Sequence, residues 1–194
     1  MFRARAKAAS VVLAAGLFLG ACGDGDGGGD AAQAYASSIC TAFSTWVQDI
    51  QARNQTLTQS LNPQSTPAEG KEQLQIFLDS VIQDTDKLLS SVDAAGVPEV
   101  EGGQQAASQI KAAAQSAKTS FENARNEVAQ LPTDPAGFRA GAQQIGGQIG
   151  QSLSGLGQEL RNRAQSEEIR QAFEESPTCA QLRSGTTGGA SPGS

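Results

Sequence analysis

Histidine is absent from this chain of 194 residues, and cysteine occurs only three times. Without imidazole there is no His-based acid–base catalysis, no Ser-His-Asp triad and no common zinc site. Basic residues are scarce as well: 14 Lys and Arg stand against 20 Asp and Glu, a net charge of −6. Arg3, Arg5 and Lys7 fall in an N-terminal leader that holds no acid, so 20 acidic residues face 11 basic ones beyond it, or −9. That balance argues against a nucleic-acid partner. Long apolar runs are missing, since the uncharged stretch Ala8 to Leu19 falls well short of the ~20 residues a membrane-spanning helix needs. No segment alternates convincingly between apolar and polar, and no β-branched run occurs, so no strands are expected. The length suits one domain with its ends.

The leader itself has three parts: basic Met1 to Lys7, the uncharged Ala8 to Leu19, then Gly20-Ala21-Cys22. Its middle has the length of a signal-peptide core. Leu19-Gly20-Ala21-Cys22 resembles the lipobox of bacterial lipoproteins, an aliphatic residue and two small ones before a cysteine. The resemblance implies that residues 1–21 are a lipoprotein signal peptide and that Cys22 is the mature N-terminus, thioether-linked to diacylglycerol. It places the protein on the outer face of a bacterial plasma membrane. The rival reading is an ordinary secreted protein whose leader ends in small residues, with Cys22 there by accident. Two acyl chains contribute ~0.8 kcal/mol per buried CH₂, enough for stable anchoring.

Beyond Cys22, Gly23 to Asp30 reads Gly-Asp-Gly-Asp-Gly-Gly-Gly-Asp. It has no apolar surface to bury, so residues 22–30 are read as the acylated cysteine and a flexible tether. A calcium loop on Asp24, Asp26 and Asp30 is the sharper alternative. It lacks the bidentate Glu required at the twelfth position, where Tyr35 stands.

Residues 31–183 carry helical periodicity. Tyr35, Ile39, Phe43, Trp46, Ile50, Leu57 and Leu61 mark one face of a first helix, which Asn62-Pro63 stops. Thr66-Pro67-Ala68-Glu69 is a capping box with proline at the first helical position. The stripe that follows runs from Leu74 to Val92, and Gly96 with Pro98 closes it. A third helix, from about Gly102 to Gln130, has half its stripe in alanine: Ala106, Ala113, Ala117 and Ala124 share it with Ile110, Phe121, Val128 and Leu131. Asp134-Pro135 opens a fourth, with Phe138, Ala142, Ile145, Ile149, Leu153, Leu156 and Leu160 on its stripe. After Ser166 a short segment with Ile169 and Phe173 ends at Pro177, and residues 184–194 are read as a disordered tail. Short connections favour an all-α antiparallel four-helix bundle with a short fifth C-terminal helix. One phenylalanine per segment (Phe43, Phe77, Phe121, Phe138, Phe173), with Trp46, is expected to supply much of the core.

With Cys22 acylated, Cys40 and Cys179 remain as an even pair in an exported chain. An up-and-down bundle returns Cys179 to the end where Cys40 lies, so one disulfide is expected. It would close a loop worth nominally ~4–5 kcal/mol in the chain-entropy model. A redox-active or metal-binding thiol pair is the alternative, but Cys-x-x-Cys and a third ligand are both lacking.

Other candidates for chemistry are thinner. Ser108-Gln109-Ile110-Lys111 matches Ser-x-x-Lys, yet the Ser-Asp-Asn and Lys-Thr-Gly elements of serine β-lactamases are missing. The carboxylate pairs Asp84/Asp86, Glu167/Glu168 and Glu174/Glu175 read as a solvated acidic face. Seven glycines crowd the fourth helix: Gly137, Gly141, Gly146, Gly147, Gly150, Gly155 and Gly157. Each interior glycine costs roughly 0.5–1 kcal/mol against alanine. Gly137/Gly141 and Gly146/Gly150 are read as close-approach pairs against the alanine stripe. The functional alternative is a soft helix that opens to a ligand or partner.

Taken together, the lipobox, Ile39-Cys40-Thr41-Ala42-Phe43 and Ser176-Pro177-Thr178-Cys179 resemble small lipoproteins and secreted proteins of actinobacterial cell envelopes. The resemblance implies a location and an architecture and attaches no activity. The expectation is a non-catalytic interaction or structural module, with no cofactor, no metal and no assigned ligand residues. It is anchored to the membrane through Cys22 and meets another envelope component with a Gln-rich helical face. The alternative is a carrier or sensor of an apolar small molecule or lipid held within the bundle.

Overall fold

A computed structural model describes residues 27–61, 65–162 and 166–186, which form six helices and, among the described residues, no strand. They are α1 (Gly27–Ser60), α2 (Pro67–Ala95), α3 (Gly103–Ala129), α4 (Pro135–Asn162), α5 (Glu167–Glu175) and α6 (Pro177–Thr186). Among the described residues no helix is long and apolar enough to cross a membrane. The lipobox and Cys22 lie outside the described residues.

Local chemistry sets the helix ends. Thr66 Oγ1 accepts from the Glu69 N–H while the Thr66 N–H donates to Glu69 Oε2 at 2.7 Å, completing the capping box. Asp134 Oδ1 accepts from the Gly137 N–H at 2.8 Å, and Ser166 Oγ from the Ile169 N–H at 3.2 Å. The α2–α3 turn uses two left-handed glycines, Gly96 at φ 71° and Gly102 at φ 73°, which L side chains rarely tolerate.

Two boundaries differ from expectation. α1 begins at Gly27, so residues 27–30, read as tether, form its first turn. The start of α1 sits close to α5: a Cβ on Gly28 would lie 2.5 Å from Glu168 Oε1, a side-chain end that can swing aside. Pro177 ends α5 but also opens a sixth helix that continues to Thr186, past the expected domain limit at 183. Proline is favoured at a first helical position, where its missing N–H is not needed. Arg183 then donates from Nη1 and Nη2 to the carbonyls of Phe173 and Glu174 at 3.0 and 3.1 Å, tying α6 back to the end of α5.

The successive neighbours are α1–α2, α2–α3 and α3–α4, while α5 and α6 lie on α1. Buried residues recur in heptads on α2 (Leu78, Val81, Thr85, Leu88, Val92) and α3 (Ala107, Ile110, Ala114, Ala117, Phe121, Ala124, Val128). Beside that seam runs an ion-pair ladder of the same period. Asp93 meets Lys111 at 2.6 Å, Asp86 meets Lys118 at 2.7 Å, and Asp79 meets Arg125. Each step moves seven residues back on α2 and seven forward on α3, so the two helices are antiparallel in a single register. Solvent screens these surface pairs, so their main effect is on alignment.

Trp46 occupies the junction of α1, α2 and α3. Its ring meets Phe43 and Phe121 edge-on at 6.1 and 6.4 Å, and its Nε1–H donates to Thr85 Oγ1 at 3.0 Å. The Thr85 hydroxyl donates onward to the Val81 carbonyl at 2.7 Å, so the polar groups of Trp46 and Thr85 are both satisfied. Phe43 and Phe121 are buried as expected, but Phe77, Phe138 and Phe173 are only partly buried at the margin. On α4 only Ile145 is buried among the described side chains. A second, smaller core of Ala32, Ala36, Cys40, Ala106, Ile169, Ala172 and Cys179 joins α1 and α3 to α5 and α6.

Candidate functional site

The two cysteines expected to pair do so: Cys40 and Cys179 form a disulfide, with Cα atoms 5.0 Å apart and 139 residues between them in sequence. Both are buried, 5% and 3% exposed, within the smaller core. The bond fastens α6 to the fourth turn of α1. Beside it Ser37 Oγ and Ser176 Oγ lie 3.3 Å apart, Ser176 being fully buried at the α5–α6 joint.

The remaining candidates are dispersed. Ser108 is exposed and donates to the Gln104 carbonyl at 2.8 Å, whereas the Lys111 ammonium is engaged by Asp93, so the two do not work together. Glu167 and Glu174 both bind Arg170, and Glu175 accepts from Gln171 Nε2 at 2.7 Å. Of the calcium-loop trio, Asp24 and Asp26 lie outside the described residues and Asp30 is exposed on the first turn of α1. Among the described residues no group of three or more His, Cys, Asp or Glu is placed to hold a metal ion.

Asp84 corrects the expectation of a solvated acidic face. Its side chain is 1% exposed, while its partners Arg53 and Lys87 are 47% and 69% exposed. Arg53 Nε donates to Oδ2 at 3.2 Å and Lys87 Nζ to Oδ1 at 2.7 Å. Burial pushes this carboxyl up, but the two hydrogen bonds and the two positive charges outweigh it and hold Asp84 below the usual carboxylate range. Asp86, two residues on, points the other way to Lys118. Sequence spacing does predict that such neighbours diverge, but which of them turns inward depends on α1.

Asp84 forms part of the floor of an open groove of about 390 Å³ along α1 and α2. Buried Trp46 and Leu88 share that floor, and half-buried Asp49 lies on the α1 side. The exposed hydroxyls of Ser38, Thr41 and Thr45 line one bank, with Lys87 and Ser91 on the other. No sequence motif announces this site, because its residues come from two helices at ordinary helical spacing.

One further polar group stands apart. The Tyr35 hydroxyl is buried without a hydrogen-bond partner among the described residues, its ring edge-on to Phe173 at 6.3 Å, and burial pushes the phenol up to about 12. It stays protonated at neutral pH and is no nucleophile.

The fourth-helix glycines divide into two kinds. A Cβ on Gly141 would lie 2.3 Å from Leu131 Cδ2, and one on Gly137 would lie 2.7 Å from Asp134 Oδ2, so this pair serves the entry turn. At Gly146, Gly147 and Gly150 a Cβ would meet nothing within 4 Å. The expected packing of Gly146/Gly150 on the alanine stripe is therefore not what the fold uses. Ala142, Ile145 and Ile149 pack on the core, and Gly146 and Gly150 stand beside them in open space.

No protein-family model, curated protein or solved structure matches this chain.

Proposed function

We propose that this chain is a lipid-anchored extracytoplasmic protein of a bacterial cell envelope, acylated at Cys22 and acting as a non-catalytic interaction module. In this reading α1–α4 are an antiparallel four-helix arrangement in which α4 packs chiefly on α3, with α5 and α6 as a clamp on α1. The observation that carries the reading is the buried Cys40–Cys179 disulfide, since such bonds form and persist in oxidising compartments outside the cytoplasm. It leaves Cys22 as the odd thiol, in the place a lipobox cysteine takes. The disulfide lies on the fourth turn of α1, in the N-terminal half of that helix, so the covalently clamped half is the one that follows the tether.

Intact mass measurement on protein extracted from its own membranes tests this. The expected species starts at Cys22, carries a diacylglycerol thioether and is two hydrogens light. A species without acyl mass, or with two free thiols at Cys40 and Cys179, would overturn the proposal. The second reading, a carrier of an apolar molecule between the helices, is favoured by the open glycines of α4. In that case gentle native mass spectrometry finds a lipid-sized mass lost on denaturation, and Gly146→Ala with Gly150→Ala lowers its occupancy.

A further inference from the structure

We infer that the α1–α2 groove is a binding site for a small zwitterion, an amino acid or short peptide with a free amine and a free carboxylate. One carboxylate of the groove is left over. Asp49 is half-buried in the groove and has no hydrogen-bond or ion-pair partner among the described residues. Arg53 stands four residues after it on α1, the spacing at which Asp and Arg usually pair. The Arg53 guanidinium reaches across to Asp84 instead, and so does Lys87. Two cations therefore share one buried carboxylate, and the other carboxylate has none. Of the groups that line the groove, Lys87 brings a positive charge from α2 and unpaired Asp49 a negative one from α1, and a zwitterion complements both.

The ligand amine binds Asp49 and its carboxylate takes a spare donor of Lys87, whose ammonium has three and gives one to Asp84. Between them Trp46 and Leu88 offer an apolar floor for a side chain, and Thr45 and Ser91 offer hydroxyls to a peptide bond. A volume of about 390 Å³ lies within the range of small-molecule sites, roughly 300–1,000 Å³. This site goes beyond the proposed module role by giving its partner a chemical class, and it does not depend on acylation of Cys22.

The chain has a single tryptophan, Trp46, and it lines the groove, so its emission reports directly on occupancy. The full chain is titrated with the dipeptide alanyl-leucine, its N-acetyl derivative and its C-terminal amide, with binding followed by Trp46 fluorescence and by ligand NMR. Saturable binding of the free dipeptide, weakened about tenfold or more by either blocking group, is the expected result. Asp49→Asn should reproduce the effect of acetylation, and Lys87→Gln that of amidation. Absence of saturable binding by both methods, or equal affinity for blocked and free peptides, overturns the assignment. The blocked ligands decide the matter even where a variant fails to fold. Failure here leaves the acyl-mass test of the anchor untouched, and the reverse also holds.

Discussion

Helices α3 and α4 have nearly the same length, 27 and 28 residues, and both are built on small residues spaced by three and four, yet they are held very differently. The small residues of α3 are alanines turned inward: Ala107, Ala114, Ala117 and Ala124 lie in the core against α1 and α2. Those of α4 are glycines, and Gly146, Gly147 and Gly150 face open space. Alanine lets neighbouring helices approach while retaining the best helix propensity, whereas an exposed glycine gives up propensity and gains no contact. Periodicity alone therefore says that both are helices. Burial says that α3 is a structural centre and α4 an appendage on it.

The largest expected contrast is in the aromatic side chains. Phe121→Ala on α3 should cost about 3–5 kcal/mol in urea unfolding, the usual loss for a fully buried phenylalanine. Phe138→Ala on α4, where the ring is only partly buried, should cost about half as much or less. Equal losses would erase the distinction between the two helices.

Next comes the disulfide. Paired Cys40→Ala and Cys179→Ala substitutions should remove about 2–5 kcal/mol. Loss of hydrogen-exchange protection should be concentrated in α5 and α6, which the smaller core joins to α1.

Acid sharpens the core side of the contrast. Asp84 titrates below the usual carboxylate range when folded and within it when unfolded, so the unfolded chain binds the proton first. Its contribution is therefore complete above about pH 5 and lost as pH falls through the lowered folded value. Asp84→Asn should flatten the acid limb of a stability–pH curve and leave the neutral region less stable. An unchanged acid limb would contradict the pairing with Arg53 and Lys87.

The smallest effect has the opposite sign. Gly146→Ala and Gly150→Ala should each stabilise by about 0.5–1 kcal/mol, because a Cβ at either position meets nothing. Destabilisation would mean that something packs there.

Legibility in the sequence followed the range of the interactions. The capping box at Thr66 and the Asp134 cap were readable because each involves residues three apart in one stretch of chain, and the Ser166 cap, of the same spacing, was passed over. The stripes were readable for the same reason. Pro177 was read only as a stop, though proline is equally at home as the first residue of a helix, and α6 was missed. The period-seven ladder of Asp79, Asp86 and Asp93 against Lys111, Lys118 and Arg125 was visible as spacing, but the pairing emerges only once two helices are aligned. The inward turn of Asp84 and the stranding of Asp49 depend on Arg53 choosing a partner on another helix, which no single-helix pattern encodes. The glycines of α4 could be counted, but which faced the core depended on how that helix is rotated on α3.

Native-state hydrogen exchange, followed peptide by peptide at neutral pH, tests most directly the claim of a firm α1–α3 centre with α4 lightly attached. The predicted result is near-global protection for Leu78–Val92 and Ala107–Val128, with Gly141–Leu153 opening at much lower free energy. Equal protection of α3 and α4 would contradict it, and would also remove the physical basis for a ligand entering between the helices.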